Sequence, residues 1–439
     1  RDYKVTGVQT CALPISFIVC NSREATKRVM IQNSLNYPKP SEMYGPLILY
    51  GDNIVSVSGG EIHKKHRKIV EPAFQERNLR ELAKISNEST DMLLKRMEES
   101  GQHMLEVNVD MTDVTMDIIG KSNFGVDLNI FHESGDPEAK HKLFDRKRYT
   151  MSFYDALDVT NTLGVAVFHF VPSILHRFSK FRYAMDAAAQ VYKYMTDLID
   201  ERRSTGDYEG RSDLVSLLLE ANSNENETLN KLTNQELLSD AFIFLLAGHE
   251  TSATNLGHLF CELAKHQDIQ DKCIEEIDRV MPYGTDFTYD DFEKFTYINN
   301  CIKETLRLHS PVLMLPKVAK ARDELGGYRI SKGTYVWVDL YITHMDDRNW
   351  KNPTEFNPDR FNEKYESSTY LPFSFGSRKC VGFQFSLVET LAIVVRILQR
   401  YRLEYEPHID PKTHVPEEVT MVTSKVKKQN LVMKKRINV

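Results

Sequence analysis

The segment that most constrains this chain is Phe373 to Gly382, which reads FSFGSRKCVG. It places one cysteine, Cys380, between Gly376 and Gly382 and directly ahead of a helical pattern. The two glycines permit a tight loop whose backbone can come close to a flat partner. The following pattern, Gly382 to Tyr401, carries apolar Leu387, Val388, Leu391, Ile393 and Val394. The N-terminus of such a helix bears partial positive charge, which favours a thiolate over a thiol. Arg378, two residues before the cysteine, can pair with an anion. A lone cysteine is more often a small buried hydrophobe, but loop, helix and arginine together favour a ligand.

The rest of the chain limits what that loop can serve. At 439 residues it can bury a large core, and 41% hydrophobic with 27% charged residues excludes disorder as a whole. A formal net charge of -6 is too mild for a nucleic-acid binder. None of the cysteines at 11, 20, 261, 273, 301 and 380 are paired at C-x-x-C spacing, which argues against zinc ribbons and most iron–sulfur arrangements. The absence of a disulfide pattern fits a reducing compartment. No run approaches the ~18 apolar residues that a membrane span needs. Arg1 to Ser16 resembles a translated sequencing adapter, so 1–16 is expected to be non-native and 17–439 to be one large domain whose anchor and first elements are missing.

Periodicity predicts a mainly α chain with minor β. A short strand and helix are expected over Phe17 to Val29, then helices from Gly60 to Phe124 broken near Pro72 and Gly101. Tyr149 to Arg203 reads as helical, interrupted at Pro172. A long central helix should begin at Thr233, where Thr233 and Glu236 fit a capping box, and run to about Ala264, ~45 Å at ~1.5 Å per residue. A further helix should cover Tyr297 to Leu308 and stop before Pro311. Leu325 to Leu340 reads as a small antiparallel sheet.

The loop pattern F-x-x-G-x-R-x-C-x-G, filled by Phe373, Gly376, Arg378, Cys380 and Gly382, resembles the haem-binding signature of the cytochrome P450 family, eukaryotic microsomal type. The resemblance covers Phe17 to the C-terminus. It implies the family's fold, haem b as cofactor and Cys380 as the ligand of the iron. Ala247-Gly248-His249-Glu250-Thr251-Ser252 is similar to the family's A-G-x-[DE]-T-[TS], which implies roles for Thr251 in dioxygen activation and for Glu250 in proton relay. Gly248 costs ~1 kcal/mol in a helix interior against alanine, which suits a helix that opens a groove for a small molecule. Glu304 and Arg307 match the family's E-x-x-R, with Arg360 of Pro358-Asp359-Arg360-Phe361 as third member of a buried ionic scaffold. Arg67, His63 and Lys317 are the implied haem-propionate contacts. His63 stands where the family often has tryptophan, a departure shared with fungal members, and Lys317 stands where arginine is common.

The resemblance further implies a monooxygenase using O2 and a small apolar substrate. Electrons would come from NADPH through NADPH–cytochrome P450 reductase, with cytochrome b5 as a second donor. The full-length protein would sit on the cytosolic face of the endoplasmic reticulum membrane, with Leu163 to Leu175 touching it. Substrate contacts are expected from Tyr44 to Val57, Tyr149 to Phe181, Phe242, Phe244, Leu245, Leu246, Val312 to Leu315 and Met421 to Thr423. Lys64, Lys65, Lys68 and Lys379 are expected to form a docking face for an acidic reductase. Two alternatives stand beside this reading: an isomerase or lyase of the same fold, and a haem-binding protein or inactive fragment without turnover.

Overall fold

The computed structural model describes residues 17–128, 130–131, 150–160, 178–223, 231–411, 417–419 and 423–436. The expectations for 1–16, for Pro172 and for Leu163 to Leu175 lie outside the described residues. The chain forms two compact units, one of residues up to Pro40, His103–Met111 and Thr251–Val439, the other of Ser41–Gln102 and Thr112–Glu250. Both are assembled from separated stretches of sequence, so no single linker marks a boundary between them.

The second unit is helical. Glu61–Val70 and Glu76–Glu99 are separated by a short 3-10 turn at Glu71–Phe74, where Pro72 removes a backbone donor. Phe153–Val159, Ser179–Thr205 and Leu214–Ser223 complete it, together with the larger parts of Val107–Phe124 and of the long helix. That long helix spans Asn234–Lys265. The capping box forms as the sequence predicts: Glu236 N–H donates to Thr233 Oγ1 at 3.1 Å, and Thr233 N–H donates to Glu236 Oε2 at 2.8 Å.

The first unit holds the strands. Tyr335–Asp339 is central in a three-stranded sheet, parallel to Phe17–Cys20 and antiparallel to Met314–Val318. This corrects the expected small antiparallel sheet over Leu325 to Leu340. Only Asp323–Leu325 and Tyr328–Ile330 form that hairpin, closed by Gly326 and Gly327 at positive φ. Apolar Val336 and Val338 alternate inward on the strand beyond it and share one core with Leu325 and Ile330 of the hairpin, but the strand pairs elsewhere. A second sheet orders Met104–Glu106, Asn430–Lys435 and Tyr401–Tyr405. The helices Gln267–Val280, Thr296–Leu308 and Phe383–Arg400 belong to this unit as well.

Candidate active site

The cysteine loop is fixed from below by apolar packing. Leu371 is buried with Val29, Met30, Tyr37, Val336 and Leu340, and Phe375 packs against the same cluster. Gly376 stands at φ 72, and a Cβ there would lie 2.8 Å from the Met30 carbonyl oxygen, so any other residue would push the loop off its support. Ser374 also adopts a left-handed φ of 63, a conformation that persists only where surroundings enforce it. Backbone bonds close the loop: Cys380 N–H to Phe373 O at 2.9 Å and Lys379 N–H to Gly376 O at 3.1 Å. Helix Phe383–Arg400 starts directly after it, with Gly382 as N-cap.

Among the described cysteines, Cys380 is exposed while Cys20, Cys261, Cys273 and Cys301 are buried. Burial pushes the thiols of Cys20 and Cys261 up to about 12, so neither offers a thiolate near neutral pH. Phe373 and Phe383 meet edge-on at 6.3 Å, and Lys379 Nζ lies 3.5 Å from the Phe383 ring centroid.

Cations gather beside the loop. Lys317 is buried on its strand, and burial first, then the Arg378 charge, brings its ammonium down to about 8. Lys39, which sequence reasoning missed, is held well below its usual value by burial and by Lys317 and Arg378. Two lysines whose ionisation is opposed by burial and by the Arg378 charge form the kind of site that a pair of carboxylates relieves. An exposed cysteine, a loop that excludes a Cβ, two phenylalanines and this cationic group fit a haem with its propionates. His63 and Arg67 belong to the other unit. His63 is buried, and Arg67 pairs with Glu71 one turn on.

The basic run His63 to Lys68 is not a uniformly solvated face. His66 is fully buried with Nδ1 2.6 Å from Asp240 Oδ2, and Lys65 Nζ bonds Glu236 Oε1 at 2.7 Å. Lys65 is therefore committed to the long helix, which corrects its place in the expected docking face. Lys64, Lys68 and Lys379 are exposed.

Within the long helix, Phe242 and Leu245 are fully buried, and the Phe242 ring meets Tyr50 edge-on at 4.5 Å. These two are core, against the expectation of substrate contact. Phe244, Ala247, Gly248 and Thr251 instead keep solvent access. Their i, i+3, i+4, i+7 spacing puts them on one helix face. Glu250 is half-buried beside them. Gly248 has a second reason: a Cβ would lie 2.7 Å from Ile119 Cδ1 of helix Val107–Phe124. The glycine thus admits a neighbouring side chain, where the sequence suggested only a groove. Two expected substrate segments do meet, through a β-bridge between Val312 and Thr423.

The ionic scaffold is complete. Glu304 accepts from Arg307 Nε and Nη2 at 2.8 Å each, and from Arg360 Nε at 2.9 Å. Asn357 N–H adds a fourth bond at 3.0 Å.

One buried acid was not legible in the sequence. Glu389, on the helix after the cysteine loop, is fully buried and neither carboxylate oxygen finds a hydrogen bond. Burial pushes its carboxyl up to about 8, with nearby Ser252 opposing in part. An acid raised this way keeps its proton in the fold while the unfolded chain has lost it, so stability falls as pH rises from about 4.5 to about 8. Glu389→Gln should match the parent near pH 5 and exceed it by roughly 3 kcal/mol at pH 7, at ~1.4 kcal/mol per unit. Urea unfolding at the two pH values checks this.

Comparison with known proteins agrees with this architecture. A family model described as Cytochrome P450 matches residues 10–432. Cytochrome P450 3A2 of Rattus norvegicus is 29% identical over 409 residues, spanning 91% of this chain and 79% of the relative. Cytochrome P450 monooxygenase 124 of Postia placenta is 32% identical over 438 residues, spanning 95% and 80%. The solved cytochrome P450DA heme domain superimposes with a TM-score of 0.84 at 23% identity, covering 99% of this chain and 90% of that one. The chain belongs to the cytochrome P450 family. It is a haem-dependent monooxygenase that uses dioxygen and an organic substrate and draws electrons from a redox partner.

Proposed function

We propose that this enzyme oxidises a small apolar substrate, with Cys380 as the iron ligand and electrons supplied from NADPH by a separate flavoprotein reductase. The observation that carries the substrate class is the accessible face Phe244, Ala247, Gly248 and Thr251 on a helix whose Phe242, Ile243, Leu245 and His249 are core. It offers a ring and a methyl group, with a single hydroxyl at its end. Haem held by a thiolate supplies dioxygen activation, because the sulfur pushes electron density that favours O–O cleavage.

The protein's own groups do the rest. Phe373, Gly376 and Gly382 shape the loop, and Arg378, Lys317 and Lys39 would hold the propionates. By the family pattern Arg67 and His63 would be further propionate contacts. Thr251 holds a proton donor at the reacting end of the accessible face, and Glu250 exchanges protons with solvent. Lys379, exposed next to Cys380, suits an acidic reductase surface, which steers association by charge. Cytochrome b5 is a second acidic donor of the same kind. The reading includes a location at the endoplasmic reticulum membrane, which the family resemblance of the sequence supports; no helix among the described residues is long and apolar enough to cross a membrane.

Two measurements test this reading. Apolar lipids, terpenoids and aromatics should shift the haem spin state on binding, whereas charged analogues should not. Thr251→Ala should keep the haem spectrum but lower product formed per NADPH by roughly 10²-fold, with hydrogen peroxide released instead, the low end of the roughly 10²–10⁴-fold that general acid–base groups contribute. Full coupling in Thr251→Ala would remove its proton role.

A further inference from the structure

A second cluster of metal-binding side chains lies in the first unit, outside the haem-binding residues. His258 and Glu262 stand one turn apart on the long helix. His309 follows directly on helix Thr296–Leu308, and Glu417 and Ser424 lie on the paired strands Glu417–Val419 and Ser424–Val426. The ligand atoms of His258, His309 and Glu417 all lie within 4.8 Å of one another. We infer that His258, His309 and Glu417 form a zinc site that clamps this hairpin to the long helix.

The geometry already separates direct ligands from the groups that orient them. His309 Nε2 is taken by Glu262 Oε1 at 3.1 Å, which leaves Nδ1 as the free donor. A carboxylate on the far nitrogen is the usual way a metal-bound histidine is held in one tautomer and orientation. Nδ1 is buried with no hydrogen bond and stands 3.7 Å from Glu417 Oε2. That separation is too long for a hydrogen bond. It is close to the about 3.4 Å between two ligands of a tetrahedral zinc with bonds of about 2.1 Å.

Ser424 Oγ donates to the other oxygen of Glu417, Oε1, at 2.6 Å and lies 3.5 Å from His258 Nε2. The two imidazoles stack at 4.5 Å with 9° between their planes, so a small splay of His258 would bring its nitrogen to the shared point. Charge favours a divalent ion here. Glu262 is also faced by His266 Nε2 at 3.4 Å and by the Lys265 charge, so the carboxylate that a divalent cation would neutralise as its ligand is Glu417, with Glu262 left to orient His309. Two imidazoles and a carboxylate leave a fourth position open and suit zinc. The hairpin also carries Thr423, bridged to Val312, so the ion would steady that bridge.

The test uses the haem-loaded enzyme, stripped with a chelator and then titrated with zinc chloride by calorimetry, with zinc per haem iron measured after gel filtration. One zinc per chain is expected. Glu417→Gln and His258→Asn should each weaken binding at least tenfold, and Glu262→Gln roughly tenfold as an orienting group, with unchanged haem spectra. If His258→Asn does not fold, Glu417→Gln and Ser424→Ala, both on the hairpin, decide the matter. Absence of stoichiometric zinc in the parent, or undiminished binding in Glu417→Gln, overturns the site and leaves the haem reading untouched.

Discussion

Cys380→Ser should yield a folded protein whose reduced, carbon-monoxide-bound form lacks the red-shifted band of thiolate-ligated haem, and monooxygenase turnover should vanish. The loop itself should survive. Its backbone is closed by bonds that do not use the sulfur, and its base is held by Leu371 and Phe375 in the sheet core. Serine therefore changes the ligand and little else. A hydroxyl is a weaker electron donor than a thiolate, so the push that favours O–O cleavage is lost with it. Cys273→Ala serves as the control: that cysteine is buried against Cys301 with sulfurs 3.6 Å apart, and its loss should leave the band intact. A normal band in Cys380→Ser would mean that another residue ligates the iron.

Local signals in the sequence were the ones that survived. The capping box at Thr233 and Glu236 predicts its helix start to within a residue, because both partners lie within one turn. The cysteine loop is legible for a similar reason, since its glycines and cysteine act over ten consecutive positions. Long-range pairing was less legible. The parallel partner of Tyr335–Asp339 lies more than 300 residues earlier, at Phe17–Cys20, and alternation alone cannot say which strand is a neighbour. The same limit hid Lys39, whose sequence context is an ordinary Pro-Lys-Pro and whose meaning comes from Lys317 and Arg378. It also put Phe242 and Leu245 on the substrate side, because an apolar helix does not reveal from composition which stripe is core.

Glu304→Ala should be the most destabilising change outside the haem loop, by roughly 3–5 kcal/mol, because it leaves two buried guanidinium groups without their shared carboxylate. Glu304 and Arg307 are both fully buried, and Arg360 is nearly so. The consequence reaches the cysteine through a short chain of contacts. Arg307 Nη1 donates to the His344 carbonyl at 2.8 Å, and His344 Nε2 accepts from Leu371 N–H at 2.8 Å. That bond requires a neutral imidazole. Burial, aided by the Arg307 charge, lowers the His344 ring to about 3 and keeps it neutral. Trp350 Nε1–H donates to Thr369 O at 3.3 Å, and Tyr370 O–H donates to Lys303 O at 3.1 Å, so the same segment is tied down twice more. Leu371 opens the cysteine loop, so loss of Glu304 should show as haem loss before global unfolding. Haem retained on gel filtration and the urea midpoint measure the two effects separately. Arg307→Lys keeps the charge but loses the planar fork that reaches both Glu304 oxygens, and it too should shed haem. A Glu304→Ala protein that keeps its haem at the parent's urea midpoint would show that the ionic triad does not hold the loop.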